Sequence, residues 1–256
     1  MKAKTKQGPL ERYLQVLEIV AASPGDLTMT DVAHMTGLPK PTIHRLIRTL
    51  VDSGLILGTG KTFRTSARLW RLLYLGLDQE VVVKYAQIVC DELARRLNET
   101  CYVVRLENTE VRTIARAVPD QGYRLHVVPG AELPGHAASS AKAILAFQPD
   151  HVVTRVLREP LARLTPRTKT KLSSCLTELA KVRRDGFAVC DREIDENVMA
   201  YAVPVDLPSA GVLFSISVTG PVSRLKRDDS DHYISRLRDS AAQFARLLRS
   251  TGRPGG

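Results

Sequence analysis

The sequence predicts an α+β protein in two parts: three short helices closed by a β-hairpin, then a linker helix and a larger domain on an antiparallel sheet. Three observations predict it. Residues 30–56, TDVAHMTGLPKPTIHRLIRTLVDSGLI, read as two short helices joined by a turn at Gly37. Residues 55–64, LILGTGKTFR, read as two short strands around a glycine-rich tip. Past Asp78 a helical stripe gives way to strand-like runs, then helical runs, then strands again, the order of an α+β domain.

The elements follow in order. Leu10, Tyr13, Leu14, Leu17, Val20 and Ala21 recur at helical spacing, and Ser23-Pro24-Gly25 stops that helix. Thr28 or Thr30 can cap a second helix with Val32, Ala33 and Met35 on its apolar face. A third helix runs from about Pro41, where a missing N–H costs nothing, to Ser53-Gly54. Three helices and a hairpin over residues 8–66 make a winged helix-turn-helix. Ser66 caps the linker helix, residues 67–79, and Gly76 to Asp78 form a joint. Trp70 and the neighbouring Leu69, Leu72, Leu73 and Leu75 suit core or dimer packing better than a cofactor box.

The second domain spans residues 80–251. Its first helix, about 80–97, carries Val82, Tyr85, Ala86, Val89, Leu93 and Leu97 in one stripe. Strands are expected at 100–106, 111–118 and 122–128, and helices at 137–147, 149–157 and 167–185. Strands return at 187–190, 199–205 and 211–219. A last helix has Ile234, Leu237, Ala241, Phe244 and Leu248 on one face.

The charge is uneven. The whole chain carries +10, and its first 77 residues hold +6 of that, so the smaller part is the one suited to an acidic partner. Cys90, Cys101, Cys175 and Cys190 are far apart with no CxxC pair, which argues against zinc or a disulfide scaffold and for free thiols in the cytoplasm. No metal or other cofactor is expected. No apolar run approaches the roughly 18 residues of a membrane helix. The basic start, MKAKTKQGP, lacks the apolar core of a secretory signal and reads as a flexible arm.

The third helix divides by face. At about 100° per residue, Ile43, Leu46, Ile47, Leu50 and Val51 fall on the packing side. Pro41, Thr42, Arg45, Arg48 and Thr49 fall opposite, His44 lies at the border, and no acid appears before Asp52. Arginine donates two hydrogen bonds to the major-groove edge of guanine, and threonine reaches a base or a phosphate. This face implies contact with double-stranded DNA. Lys61 and Arg64 on the hairpin suit the backbone or the minor groove, and Lys40 and Arg12 are further phosphate candidates.

Three segments carry a resemblance. GAELPGHAASSAKAILAF (residues 130–147) resembles the P-x-H-A-x-A-x-G-K-A-x-L-A segment of IclR-type transcriptional regulators. RRDGFAVCDREIDENVMAYAVPVDLPSAGVLFSISVTGP (residues 183–221) resembles the later signature of that family, and the helix-turn-helix resembles its DNA-binding part. Order and spacing agree over about residues 8–250. The resemblance implies a C-terminal effector domain of GAF-like fold, dimers or dimers of dimers on palindromic operators, and a small organic or aromatic acid as effector. Four positions depart from the family pattern: Ala141 and Asn197 replace glycines, Pro41 replaces a serine, and Ala200 replaces a cysteine often found in the pocket.

By that resemblance, Leu133, Ser139 and Ser140 line one wall of an effector pocket, Asp191 and Glu193 lie in its acidic stretch, and Ser217 and Thr219 stand opposite, with Ala200 nearby. Read from the residues, Ser139 and Ser140 open a helix, where free N–H groups and two hydroxyls suit a carboxylate; helix capping alone is the alternative. Strand alternation puts Ser215, Ser217 and Thr219 on one face, inward or toward solvent. His136 suits a local backbone partner better than a ligand. Arg105 and Arg124 are placed on strands, as partners for an effector carboxylate or at the surface.

Chemistry of other kinds has little support. His136 beside Ser139 or Ser140 suggests a hydrolase, but there is no G-x-S-x-G elbow, and no H-E-x-x-H, P-loop or dinucleotide fingerprint. A nucleic-acid scaffold without an effector would spread its basic excess over both parts. A transcriptional regulator remains, with repression favoured over activation.

Overall fold

The computed structural model describes residues 8–23, 25–119, 127–226 and 229–251. The chain divides into two compact units between Gly76 and Leu77.

The first unit comprises α1 (Pro9–Ala22), β1 (Leu27–Thr28), α2 (Met29–Thr36), α3 (Lys40–Asp52), β2 (Ile56–Thr59), β3 (Thr62–Thr65) and α4 (Ala67–Leu75). The first of the two candidate threonines caps α2. Thr28 Oγ1 accepts from the Asp31 N–H at 3.3 Å, and the Asp31 carboxylate accepts from the Thr28 N–H at 2.8 Å. That capping box leaves two fewer unsatisfied donors at the helix start. Gly37 closes α2 at φ 67°, a left-handed position open to glycine. Val16, Val20, Val32, Ile43, Leu46, Ile47, Leu50 and Ile56 form the core. Ser66 Oγ accepts from the Leu69 N–H at 3.2 Å, capping α4, and donates to the Gly54 carbonyl at 2.6 Å. The helix read as a linker is thereby fastened to the winged unit.

The apolar patterns are broader than the faces they bury. Val51 is exposed, because it lies at the rim of the arc that Ile43, Leu46, Ile47 and Leu50 bury. Met35, Leu10 and Leu14 are exposed too. The two-residue β1, paired with β3 through Leu27 and Phe63, is an additional strand.

The second unit opens with α5 (Gln79–Leu97), β4 (Thr100–Glu107) and β5 (Glu110–Ala117). Helices α6 (Ser139–Leu145), α7 (Asp150–Val156) and α8 (Leu172–Asp185) follow. Then come β6 (Ala188–Asp191), β7 (Val198–Leu207), β8 (Gly211–Pro221), α9 (Val222–Leu225) and α10 (Ser230–Thr251). The strands form one antiparallel sheet in the order β5-β4-β8-β7-β6, with β8 in the middle. One face packs on α5 and α10, where Phe214 meets Phe244 edge-on at 5.4 Å. The other face packs on α6.

Two expected elements differ. The helix expected from residue 167 begins at Leu172, because the Thr168 hydroxyl accepts from the N–H groups of Leu164 and Thr165 and holds that stretch in a turn. The strand expected at 122–128 falls largely outside the described residues, and Val127 and Val128 belong to no strand. Arg124 and the basic arm to residue 7 also lie outside them.

Candidate nucleic-acid interface and ligand pocket

Helix α3 turns its aliphatic side into the core and leaves Lys40, Pro41, His44, Arg45, Arg48 and Thr49 exposed, with Thr42 half-buried. Within that face, Thr49 Oγ1 donates to the Arg45 carbonyl at 3.1 Å, and Arg48 stands 4.0 Å from Asp52. Both arginines are therefore on the surface, and Arg48 has an exposed acidic neighbour in Asp52. The hairpin of β2 and β3 turns at Gly60-Lys61, with Gly60 at φ 69°. A glycine at the first central position is what a two-residue hairpin turn of this hand needs. The Thr59 and Thr62 hydroxyls both donate to Asp26, at 3.0 and 3.2 Å, and tie the hairpin to the segment before β1. Lys61 and Arg64 are exposed on it. The arrangement offers an arginine-bearing helix and a rigid basic hairpin, the two parts with which a winged helix meets DNA.

The second unit places its serines across the sheet from α6. Tyr102 of β4 stands opposite Ser217 of β8, Ser217 opposite Ala202 of β7, and Ala202 opposite Ala188 of β6. The next row on the same face is Thr100, Thr219, Ala200 and Cys190. Tyr102 packs with Ala138 and Ala141, which flank Ser139 and Ser140, and Leu133 packs against the same group. Leu133, Ser139, Ser140, Ser217, Thr219 and Ala200 are thus on one side of the sheet, joined by Tyr102 and Cys190.

Neither alternative for the serines holds. The residue before α6 is Ala138, and no side chain caps this helix. Ser139 and Ser140 are fully buried, as are Ser215 and Ser217, so β8 does not face solvent. Ser215 Oγ donates to the Ser140 carbonyl at 2.8 Å and Thr219 Oγ1 to the Met199 carbonyl at 3.1 Å. The hydroxyls of Ser139, Ser140 and Ser217 have no hydrogen-bond partner. Each of the three acts on the Tyr102 hydroxyl, Ser140 most strongly, in the direction a hydrogen bond would. None closes one at proper geometry, so they sit within reach of the phenol without being engaged by it. Leaving a buried hydroxyl unsatisfied costs about 1–3 kcal/mol, and three in one place mark a site shaped for something other than stability. Burial pushes the Tyr102 phenol up to about 12, so it stays a protonated donor at neutral pH.

The acidic residues are placed differently. Asp191 lies on the opposite sheet face from its neighbour Cys190 and is held by Arg192 at 2.9 Å, Arg167 at 3.1 Å and Lys226 at 3.2 Å. The Arg192 pairing, ahead of burial, which opposes it, holds the Asp191 carboxyl below the usual range. The structure does not bring Asp191 to the serines, because strand alternation sends successive side chains to opposite faces. Glu193 is buried, but its carboxylate accepts from Lys142 at 2.6 Å and stands 3.5 Å from Lys169, with Glu178 completing the group at 3.6 Å from both lysines. Arg105 also takes the far face: it pairs across from Phe214 and lies over that ring at 5.8 Å, on the α10 side. His136 Nε2 donates to the Ala162 carbonyl at 2.8 Å, a backbone partner but not the local one expected, since it lies 26 residues on.

Sequence reasoning passed over Tyr102, Cys190 and Lys142. Tyr102 shares the Thr100–Val104 alternation on β4, and an aromatic hydroxyl in a buried strand was its signal. Cys190 stands directly beside Ala200 in register, so the thiol missing from the family's usual position is present on the neighbouring strand. A surface groove of about 500 Å³, lined by Asp91, Arg95, Asn98, Val118 and Pro119, contains none of these residues and no orphaned polar atom among the described residues. The unpartnered hydroxyls lie in the serine group instead.

Comparisons agree with both halves. The IclR helix-turn-helix domain matches residues 9–57, and the bacterial transcriptional regulator IclR C-terminal domain matches residues 75–246. The chain is 30% identical over 244 residues to the glycerol operon regulatory protein of Streptomyces griseus, spanning 93% of this chain and 95% of that one. It is 26% identical over 222 residues to the Pca regulon regulatory protein of Pseudomonas putida, spanning 86% and 76%. A crystal structure of an IclR homolog from Microbacterium hydrocarbonoxydans, complexed with 4-hydroxybenzoate, superposes with a TM-score of 0.61 at 26% identity, over 94% of this chain and 99% of that one. With its α3 and hairpin at the N-terminus and the matching C-terminal domain after them, the chain belongs to the IclR family of bacterial transcriptional regulators.

Proposed function

We propose that this chain is a cytoplasmic repressor that seats α3 in the major groove of operator DNA and is controlled by a small organic or aromatic carboxylate held at Ser139, Ser140 and Ser217. The observation that carries the effector half is the trio of fully buried serine hydroxyls without partners. A carboxylate accepts at about four lone-pair sites and would satisfy them together. The complex of a homologous protein with 4-hydroxybenzoate supports the ligand class. Arg45, Arg48 and Thr49 read bases, with Thr42 and His44 beside them, while Lys40, Pro41, Lys61 and Arg64 meet phosphate or the minor groove.

The acting species is a homodimer or a dimer of dimers. Leu72, Leu73 and Leu75 of α4 are 52%, 56% and 42% exposed, an apolar cost that a second copy would remove. Sedimentation of wild type against Leu72→Glu tests this; a monomeric wild type overturns it.

The effector half is tested with purified full-length protein. Thermal shift against organic and aromatic acids identifies ligands, and gel shift on the operator follows their effect. Ser139→Ala spares DNA binding and loses the ligand response. An operator complex indifferent to every acid, with no stabilised hit, removes the sensing role and leaves a constitutive DNA binder.

A further inference from the structure

The pocket's donors have one property in common. Tyr102, Ser139, Ser140 and Ser217 each bring a neutral O–H. The nearby buried ammonium, Lys142, is committed to Glu193 at 2.6 Å and Glu178 at 3.6 Å. Arg105 lies on the other sheet face, over Phe214. Among the described residues, the groups that act on the Tyr102 hydroxyl are the three serines and the Cys190 thiol. The surrounding side chains are small and apolar: Ala138, Ala141, Ala200 and Ala202, all buried.

Two physical consequences follow. A carboxylate has about four acceptor sites, and four hydroxyls converge here. A second negative charge would be buried with no positive partner, which is strongly unfavourable. Charge-assisted hydrogen bonds to one carboxylate compensate its own desolvation; nothing among the described residues compensates another.

Resting on the effector reading above, we propose that Tyr102 is a specificity-determining residue of this pocket: its phenolic proton completes a set of four uncharged donors, with Ser139, Ser140 and Ser217, that selects a compact monocarboxylate over dicarboxylates and phosphate. The pairing of Tyr102 with Ser217 across the β4–β8 ladder sets the two side chains beside each other on one face of the sheet. Tyr102→Phe keeps the ring and its packing and removes only the donor.

The test is calorimetry on full-length protein with benzoate, 4-hydroxybenzoate and pyruvate as monocarboxylates. Benzamide is the uncharged control, succinate the dicarboxylate, and inorganic phosphate the other dianion. Wild type binds at least one monocarboxylate and prefers it to the amide and to both dianions. Tyr102→Phe loses about tenfold in affinity for the acid, the size of one charge-assisted hydrogen bond, and nothing for the amide. Ser217→Ala, which touches no ring packing, gives the same loss of discrimination and covers the case in which Tyr102→Phe does not fold. A purely structural Tyr102 would lower the melting temperature and leave the acid-to-amide ratio unchanged; that result overturns the proposal. So does tighter binding of succinate or phosphate, and in both cases the effector reading survives. Failure of all six probes overturns the effector reading and this assignment with it.

Discussion

The Ser215 hydroxyl donates to the carbonyl of Ser140 at 2.8 Å, pinning the start of α6 to the middle of β8 across 75 residues of chain. Ser217, two residues along the same face, has an equally buried hydroxyl and no partner. The two serines are alike in sequence context and opposite in bonding. Ser215→Ala breaks a buried hydrogen bond and lowers stability by about 1–2 kcal/mol in urea unfolding. Ser217→Ala removes an unsatisfied group and changes stability by less than about 0.5 kcal/mol, or raises it. The reverse order would make Ser217 the structural residue and empty the pocket assignment of its main support.

This contrast marks what can be read from sequence alone. The alternation of Ser215, Ser217 and Thr219 is legible, because side chains two apart on a strand share a face. Which of them meets a partner is not, because that depends on where α6 docks. Tyr102 was out of reach for the same reason: its neighbour Ser217 lies 115 residues on, and only the β4–β8 register joins them. Arg105 and Asp191 lie one residue of alternation away from the serine face, each on the side toward α10. The first unit was more legible because its contacts are local. The cap at Thr28, the turn at Gly37 and the inward set Ile43, Leu46, Ile47 and Leu50 all follow from short-range rules. Val51 shows the margin of such rules, at the rim of the buried arc.

Arg45 and Lys61 are both exposed cations in the first unit, and their expected losses differ in kind. Arg45→Ala weakens operator binding by about 1–3 kcal/mol and relaxes sequence preference, because a base contact is lost. Lys61→Ala weakens operator and random DNA alike and lowers the salt slope by about 1, because a phosphate contact is lost. Gel shift or anisotropy on operator and scrambled duplexes at several salt concentrations separates them. Full specific binding by Arg45→Ala removes Arg45 from base readout.

Lys142 and Glu193, both buried, join α6 to the segment after β6 within a set of two lysines and two glutamates whose other members, Lys169 and Glu178, are half-buried. Removing one charge leaves its partner buried and under-compensated. Lys142→Met therefore costs about 3–5 kcal/mol, whereas Lys142→Met with Glu193→Leu recovers most of that loss. Chemical unfolding of both variants measures the coupling. Equal losses in the single and double variants would mean that packing, not charge, sets the cost.

Gly220 of β8 is pressed between two side chains. A Cβ there would collide with Leu225 and stand 2.5 Å from Glu99 Oε2. Glu99 cannot yield freely, since Arg224 donates to both its oxygens, at 2.5 and 2.7 Å. Gly220→Ala is expected to destabilise by about 1–3 kcal/mol through overpacking. Adding Leu225→Ala relieves one of the two collisions and returns part of the loss. A fully stable Gly220→Ala in thermal unfolding would mean that α9 moves aside without cost.

Tyr102 sets a pH limit on the second unit. Its phenol is raised from 10.0 to about 12, chiefly by burial, against the opposing pull of Ser140, Ser217 and Ser139 and with a smaller push from Cys190. A folded pKa above the unfolded one means that the native state holds the proton more tightly. The stabilisation is therefore fully present below pH 10 and is lost as pH rises toward 12. Through neutral pH the phenol stays a donor, so monocarboxylate affinity stays flat from about pH 6 to pH 9. Burial also raises Tyr201, so the assignment needs Tyr102→Phe. In an ultraviolet titration of tyrosinate, that variant lacks the late step near 12, and its stability falls less steeply above pH 10. A Tyr102→Phe titration that lacks a step near the ordinary 10.0 instead would place the phenol in water and take the fourth donor out of the pocket.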